Sequence, residues 1–323
     1  MESTVIRPMA KPEMVADDPA EQALLDRIKS GELIENVDEL TPRYRKVLEN
    51  TLEIAAAGEV TVLTWAQTGY VNAPDLGAKM AISGSIQDEV GHAHQQGMLW
   101  ERFGVDMHKE AFERPPEKFW SMPVLEFEIK NYIYFVVAQA FLDRAGRYTT
   151  WDIELHCSFA PYRRALKKVN FEEAFHMRHG SYWMEFYWNY NEETRAMVQE
   201  AVDWVFPHGV FWYGRPDAMK GKMDQLIYGV RKWSNDEMRD KWLQSACNLA
   251  KRIGCEVPAH FDEDEGKYVL DLPYPMTWDR ETGDWIWEKC EWSDVVGNMK
   301  KGGRMRPAIY ERLQREEWGA SFW

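Results

Sequence analysis

The chain lacks any long apolar stretch. A helix that crosses a bilayer needs ~20 predominantly apolar residues, and no uninterrupted apolar run of even about 18 occurs. The first 18 residues mix acids, bases and prolines and contain no apolar signal-peptide core. Cysteine is also scarce, and the four that occur show no Cys-x-x-Cys spacing, which favours free thiols. We therefore expect a soluble protein of the reducing cytoplasm.

Basic residues are also few relative to acidic ones. The 53 acidic residues outnumber the 39 basic ones and give a net charge of −14. This balance excludes a general affinity for nucleic acids or anionic membranes, because binding a polyanion needs a basic surface. No flavin or nicotinamide fingerprint occurs in the chain, so redox chemistry would need an external electron donor.

The chain does contain two short stretches that share one motif. They are Gln87-Asp88-Glu89-Val90-Gly91-His92 and Phe171-Glu172-Glu173-Ala174-Phe175-His176. Each contains Glu-x-x-His, and on a helix positions i and i+3 share one face, so both side chains can bind one metal site. Two such pairs, together with one carboxylate from each of two further helices, make the dimetal site of ferritin-like bundles.

The apolar periodicity predicts four long helices that could carry such a site. Thr41 is the expected N-cap of the first, and Pro123 and Pro161 are expected to open the third and the fourth. The expected ranges are 41–68, 75–103 and 161–188, with a turn at 69–74, and the third helix is expected to run from 123 to the break at 158–161. We predict an all-α, ferritin-like four-helix bundle.

A lone acid lies in the first and the third of these helices, at the same distance from the following Glu-x-x-His. Glu59 precedes Glu89 by 30 residues, and Asp143 precedes Glu173 by 30. Two antiparallel hairpins would bring all these groups together. The predicted metal ligands are Glu59, Glu89, His92, Asp143, Glu173 and His176, with Glu59, Glu89 and Glu173 as the catalytic carboxylates. Gln139, Asp152 and Glu154 remain alternatives to Asp143.

The rest of the chain is predicted to frame this bundle. Residues 1–40 are expected to be an N-terminal extension, 41–215 the bundle, and 216–323 a C-terminal extension packed on it. Helices are expected at 192–212 and at 234–254, where Ser234 and Glu237 form a capping box. Small β-hairpins are expected within 262–271 and 277–287, and a last helix at 307–318.

Carboxylate and imidazole ligands without thiolate favour two iron ions, with manganese as the alternative. Asp88 and Glu172 could each accept a hydrogen bond from the histidine of the opposite hairpin. His94 and His179 are expected to lie outside the ligand set. The predicted substrate pocket lies on the same inner faces, where room would be left by Gly84, Ser85, Gln96, Gln139 and Gly146.

Three chemistries use this ligand set. Iron storage needs a shorter self-assembling bundle, and this chain is roughly twice that size. A radical-generating reductase subunit has a tyrosine one turn beyond the first ligand histidine, where this chain has Gln96. An oxygenase acting on a bound organic substrate fits best. A manganese or mixed-metal oxidase of another small molecule remains the alternative.

Several motifs resemble those of the catalytic A subunits of ring-1,2-phenylacetyl-CoA epoxidases. They are Ile86-Gln-Asp-Glu-Val-Gly-His92, Asn170-Phe-Glu-Glu-Ala-Phe-His-Met-Arg-His-Gly180, Trp233-Ser-Asn-Asp-Glu-Met-Arg239, Gly254-Cys-Glu-Val-Pro258, Phe261-Asp-Glu-Asp-Glu-Gly-Lys-Tyr268 and residues 311–318. The resemblance implies that Glu59, Glu89, His92, Glu173 and His176 are ligands. Asp143 matches the sixth ligand if one residue is inserted between it and Ser158.

The resemblance also implies an O₂-dependent monooxygenase acting on an aromatic acyl-CoA such as phenylacetyl-CoA. Its implied partners, in an oligomeric complex, are a flavin/iron–sulfur reductase, a small bridging subunit and a metal-free structural subunit. This chain could alternatively be the structural subunit. Ser85 departs from the family pattern, which has lysine there. Candidate cations for CoA phosphates are Lys79, Arg163, Arg164, Lys167 and Lys168.

Overall fold

The computed structural model describes residues 18–113, 122–220 and 223–302. Within these ranges the chain is predominantly helical, which confirms the predicted all-α, ferritin-like class. None of the helices in those ranges has both the length and the apolar character that crossing a bilayer requires.

The bundle is preceded by one short helix and built from four long ones. Helix α1 spans Pro19–Lys29, α2 spans Pro42–Asn72, α3 spans Leu76–Glu101, and the short α4 spans Met107–Phe112. The third long helix consists of α5 (Tyr132–Ala138), a π turn (Gln139–Asp143) and α6 (Arg144–His156). The fourth is α7, Ala160–Tyr190.

Local capping explains where these helices begin. The Thr41 hydroxyl accepts a hydrogen bond from the backbone of Tyr44, and Pro42 occupies the first turn of α2, as predicted. The prediction that Pro123 opens the third helix was wrong, because Pro123–Glu126 forms only one 3₁₀ turn. That helix begins at Tyr132, where the side chain of Asn131 caps two backbone amides.

The connection between α2 and α3 is shorter than predicted. Gly69 lies inside α2, which continues to Asn72, because its bare Cα lets the ring of Phe135 pack against it. A Cβ at Gly69 would come within 2.7 Å of that ring. The predicted turn at 69–74 therefore shrinks to residues 73–75, with Asp75 capping α3.

The C-terminal part adds helices and two hairpins. Helix α8 spans Glu192–Phe211, α9 spans Asp224–Ile227, α10 spans Asn235–Ile253 and α11 spans Trp292–Lys301. Strands β1 (Ala259–Asp262) and β2 (Lys267–Leu270) pair antiparallel, as do β3 (Thr277–Trp278) and β4 (Trp285–Ile286). The Ser234 capping box and the hairpins are as predicted. Helix α11 was not predicted, and the expected helix at 307–318 lies outside the described residues.

Packing joins both flanking segments to the bundle. Trp242 of α10 is fully buried, and its indole N–H donates a hydrogen bond of 2.9 Å to the carbonyl of Phe141 in the π turn. On the N-terminal side, Ile34 is fully buried and its amide bonds the carbonyl of Ser158 at 2.8 Å. The domain boundaries at 40 and 215 stay predictions.

Candidate metal centre

The bundle brings all six predicted ligands to one place between its four long helices. Helix α2 supplies one carboxylate, α3 and α7 each supply a Glu-x-x-His pair, and the π turn supplies the remaining acid. These residues fall into two groups with potential ligand atoms within 4.8 Å of one another, Glu59, Glu89, His92 and Glu173 in one, and Asp143, Glu173 and His176 in the other.

Both histidines aim the same ring atom at the carboxylates. Nδ1 of His92 lies 3.4 Å from both Glu89 and Glu173, and Nδ1 of His176 lies 3.2 Å from Glu89. Two ligand atoms at right angles around an ion, each at about 2.1 Å, are separated by roughly 3 Å. The observed spacings are close to that value, and Glu89 presents one oxygen to each histidine.

The same two Nδ1 atoms are buried and have no hydrogen-bond partner. A buried polar atom without a partner costs free energy, so such atoms usually face a group that satisfies them. Both rings are fully buried. A metal ion between each imidazole and the carboxylates would satisfy these atoms, so the residues present fit a dimetal centre.

The outer nitrogens of the histidines are held by carboxylates of the opposite helix, as predicted. Nε2 of His92 lies 3.2 Å from Glu172, and Nε2 of His176 lies 3.3 Å from Asp88. When Nε2–H donates to these carboxylates, Nδ1 keeps its lone pair for a metal. Lys168 forms an ion pair of 2.9 Å with Glu172 and supports that acceptor.

Burial, and after it the closeness of the acids to one another, determines the electrostatics of the site. Burial raises the pKa of Glu59 to about 8, and the nearby imidazole of His92 opposes this shift. Burial and the charge of Glu173 raise the pKa of Asp143 well above its usual range. For His176 burial lowers the pKa, but the neighbouring carboxylates of Asp88 and Glu89 outweigh burial and raise the pKa to about 11.

These pKa shifts indicate that positive charge stabilises the site. In the absence of other cations, protons on the acids and imidazoles compensate the four carboxylates. Two divalent ions carry the charge that balances four carboxylates, and they leave both imidazoles neutral. The buried Glu/His cluster therefore fits a dimetal site by charge as well as by geometry.

The structure also distinguishes Asp143 from its alternatives. The carboxylate of Asp152 is fully buried away from the cluster and accepts hydrogen bonds from the amides of Lys232 and Trp233. Glu154 accepts a hydrogen bond from Asn170. Asp143 lies in the cluster because the π turn adds a residue to the helix, and such insertions often occur at functional sites.

A cavity of about 450 Å³ opens beside the cluster. Glu59, Glu89, Asp143 and Glu173 line it, as do four of the five predicted pocket residues, Ser85, Gln96, Gln139 and Gly146. Gly84 does not line it, so that prediction was wrong. The remaining wall is largely apolar and includes Val62, Trp65, Leu125, Phe135, Leu142 and Ile153.

Gln96 has a different role from the tyrosine that radical-generating subunits have at this position. Its amide donates a hydrogen bond of 2.8 Å to Glu59 and accepts one of 3.3 Å from the hydroxyl of Tyr162. Tyr162 is buried and lines the cavity, but it was not predicted from the sequence. Its position at the start of the fourth helix was the only available signal.

His94, His179 and the cations predicted to bind CoA do not belong to the cluster. His94 is exposed, whereas His179 is buried and bonds Gln139 at 2.7 Å.

The predicted CoA-binding cations lie away from the cavity wall. Arg164, for example, pairs with Glu35 at 2.8 Å, and Lys79 bonds the carbonyl of Tyr70. The cavity is instead lined by Lys220 and Arg231, which were not predicted because they follow the bundle motifs by many residues.

Comparisons with known proteins agree with this geometry. Residues 9–301 match a family described as phenylacetic acid catabolic protein. The chain is also 24% identical, over 258 residues, to the A subunit of 1,2-phenylacetyl-CoA epoxidase from Escherichia coli (strain K12). That alignment covers 77% of this chain and 81% of the relative.

These matches confirm the resemblance seen in the motifs and the prediction of an O₂-dependent oxidoreductase. The match with the family extends from before the bundle into α11 and includes every residue of the cluster. The chain belongs to the family of phenylacetic acid catabolic proteins.

Proposed function

We propose that this chain is the catalytic component of a multicomponent di-iron monooxygenase. It would add one atom of O₂ to the ring of an aromatic acyl-CoA such as phenylacetyl-CoA, giving an epoxide or a hydroxylated ring. The observation that carries this proposal is the pair of unpartnered imidazole nitrogens facing four carboxylates at the wall of an apolar cavity.

The proposed ligands are Glu59, Glu89, His92, Asp143, Glu173 and His176. Two iron ions held by them would supply the reduction of O₂, and the absence of thiolate favours iron or manganese. One oxygen atom enters the substrate and the other leaves as water, which consumes two electrons and two protons. A separate flavin/iron–sulfur reductase is the proposed electron donor, since the chain contains no nucleotide-binding fingerprint.

The side chains around the ligands prepare the site for this reaction. Asp88 and Glu172 orient the imidazoles, and Gln96 holds one oxygen of Glu59. The apolar wall excludes water from the reacting ring, which protects it from side reactions. In the metal-free site the raised pKa lets the Glu59 carboxyl hold a proton near neutral pH, and a bound metal ion would displace that proton.

The substrate class rests on the cavity and on the relative. The cavity volume of about 450 Å³ lies within the roughly 300–1,000 Å³ of small-molecule pockets. The Escherichia coli relative is named as a phenylacetyl-CoA epoxidase subunit. Ser85, one turn before Glu89, is buried at the cavity wall and leaves space where a long side chain would project.

An aromatic face on α7 supports the proposed partner subunits. Phe171 and Tyr190 are 80% and 65% exposed, and Phe175, Tyr182 and Phe186 on the same helix are exposed as well. Large apolar side chains gathered on one exposed face are typical of protein interfaces. A metal-free structural subunit could cover this face, with a small bridging subunit completing an oligomeric complex in the cytoplasm.

Metal content and oxygen incorporation test the proposal. We expect about two iron ions per chain by mass spectrometry, with manganese only as a minor occupant. With reductase, partner subunits and ¹⁸O₂, phenylacetyl-CoA should gain one labelled oxygen atom. Glu89→Ala should lose iron and product, whereas Glu101→Ala on the same helix, exposed and outside the cluster, should keep both.

Three other results would contradict the proposal in different ways. A wild-type chain that binds no metal would favour the alternative of a structural subunit, which the intact cluster argues against. Bound manganese with no turnover of aryl-CoA esters would favour an oxidase of another small molecule. Unchanged activity in Glu89→Ala would remove the cluster from the chemistry altogether.

A further inference from the structure

One part of the cavity wall differs in charge from the rest. Arg231 lines the cavity although it is only 5% exposed. Burying a guanidinium is costly unless a carboxylate pairs with it or hydrogen bonds satisfy its donors. Its contacts therefore decide whether Arg231 is structural or is kept for a ligand.

Arg231 leaves much of its hydrogen-bonding capacity unused. A guanidinium has five N–H donors. One amino group donates to Oδ1 of Asn235 at 2.5 Å, the other lies 3.7 Å from the weak acceptor Sδ of Met238, and Nε has no partner. Across the part of the chain that the structure describes, no carboxylate forms an ion pair with Arg231.

The nearby carboxylates are already committed to backbone amides. Asp152 accepts hydrogen bonds from the amides of Lys232 and Trp233. Asp217 accepts from the amides of Asn235 and Asp236 at the start of α10. These acids cap the segment that carries Arg231 and leave its guanidinium edge to the cavity.

A second cation lines the same cavity. Lys220 is half-buried, and within the described ranges its ammonium group forms neither an ion pair nor a hydrogen bond. Burial and the charge of Arg231 lower the pKa of Lys220 to about 8. Two cations that repel each other in one wall, in a protein with a net charge of −14, are a costly arrangement.

We propose that Arg231 and Lys220 bind an oxyanion of the substrate, a phosphate or a carboxylate, while the apolar wall of the same cavity holds the rest of the molecule. The planar guanidinium edge matches the paired oxygens of such groups, and the lysine adds a point charge. This inference rests on the proposed function, because it gives the substrate of that site a negative end.

Binding measurements on the full-length, iron-loaded protein test it. The probes are phenylacetyl-CoA, CoA, phenylacetate and its neutral counterpart phenylacetamide, each titrated by calorimetry. Arg231→Gln should weaken binding of at least one anionic probe about tenfold or more, since hydrogen bonds between two charged groups are among the strongest. Lys220→Gln should weaken the same probe, and phenylacetamide should be unaffected.

The matched control is Arg164→Gln. This arginine pairs with Glu35 and lies outside the cavity, so the variant should bind every probe like the wild type. Loss of affinity for CoA and its ester alone identifies a phosphate as the bound group. Loss for phenylacetate identifies a carboxylate, and either result supports the inference.

Unchanged affinity for all anionic probes in Lys220→Gln and Arg231→Gln would overturn it. If Arg231→Gln fails to fold by circular dichroism, the more exposed Lys220→Gln decides alone. Iron content and turnover are measured separately on the wild type. A protein that holds iron and oxidises aryl-CoA, but whose variants keep their affinity, refutes only this inference.

Discussion

At the scale of single residues, the centre depends on acids that do not themselves face the cluster. Asp88 and Glu172 each directly precede a cluster glutamate, and each holds the outer nitrogen of the histidine on the opposite helix. This exchange links α3 to α7 and fixes which nitrogen of each imidazole faces inward. A hydrogen bond from His176 lowers the pKa of Asp88, so this acceptor stays ionised.

Removing one of these acceptors should weaken the metal site without removing a ligand. We expect Asp88→Ala to lower the iron affinity about 10- to 100-fold, measured by competition with a chelator, because His176 loses its orientation. Gln87→Ala, at the adjacent exposed position of the same helix, is the control. Equal affinities in the two variants would show that Asp88 is only a solvated surface acid.

At the scale of elements, the π turn sets the sixth position of the cluster. Gly180 of α7 packs directly on this turn. A Cβ there would lie 2.6 Å from the backbone of Ala140, the side chain of Gln139 and the carbonyl of Val136. Such distances do not occur between unstrained atoms, so only glycine permits this approach.

Gly180→Ala should therefore push α7 away from the π turn. We expect a loss of roughly 1–3 kcal/mol in the free energy of unfolding, as in other overpacked cores, together with a lower iron content. The control is Gly84→Ala on α3, where a Cβ meets nothing within 4 Å and should stabilise the helix by up to about 1 kcal/mol. Denaturant unfolding of both variants measures the difference. Equal effects would contradict the close packing.

At the scale of the whole molecule, the bundle must keep four acids close together, with Glu89 and Glu173 buried and Glu59 and Asp143 half-buried. In the metal-free protein, burial raises the pKa of Glu59 and Asp143, and partner carboxylates outweigh burial to raise those of His92 and His176. The unfolded pKa values are about 4 for a carboxyl and about 6.5 for a histidine. At pH values above these, the folded chain therefore binds more protons than the unfolded chain. Stability is therefore lost as pH rises.

This loss of stability with rising pH gives a prediction for thermal unfolding. The melting temperature of the metal-free protein should fall between about pH 4.5 and pH 8, the window between the unfolded pKa of a carboxyl and the value of about 8 for Glu59. Iron loading should stabilise the protein more as pH rises, since ligands bind metal when deprotonated. Calorimetry at several pH values tests both trends. Glu59→Gln should flatten the metal-free curve.

A rise in the melting temperature of the metal-free protein across this window would contradict the shared burial of these acids. Glu89 does not change the direction of this pH dependence. Burial raises the pKa of Glu89, but the two neighbouring histidines lower it overall, so its effect lies below about pH 4.3.

The sequence by itself determined the bundle and most of the cluster. Helical periodicity, the capping residues Thr41 and Ser234, and the 30-residue offset between lone acid and Glu-x-x-His depend only on local geometry. The crossed hydrogen bonds that Asp88 and Glu172 accept could also be predicted, because antiparallel hairpins with matching motifs place each acid opposite the other histidine.

Only the tertiary structure decided the rest. Asp143 rather than Asp152 enters the cluster because Gly180 and Trp242 pack on the π turn, and neither contact leaves a trace in local periodicity. Lys220 and Arg231 reach the cavity because the segment after α8 folds back on the bundle. Contacts between residues so far apart in sequence depend on packing, which a periodic pattern does not encode.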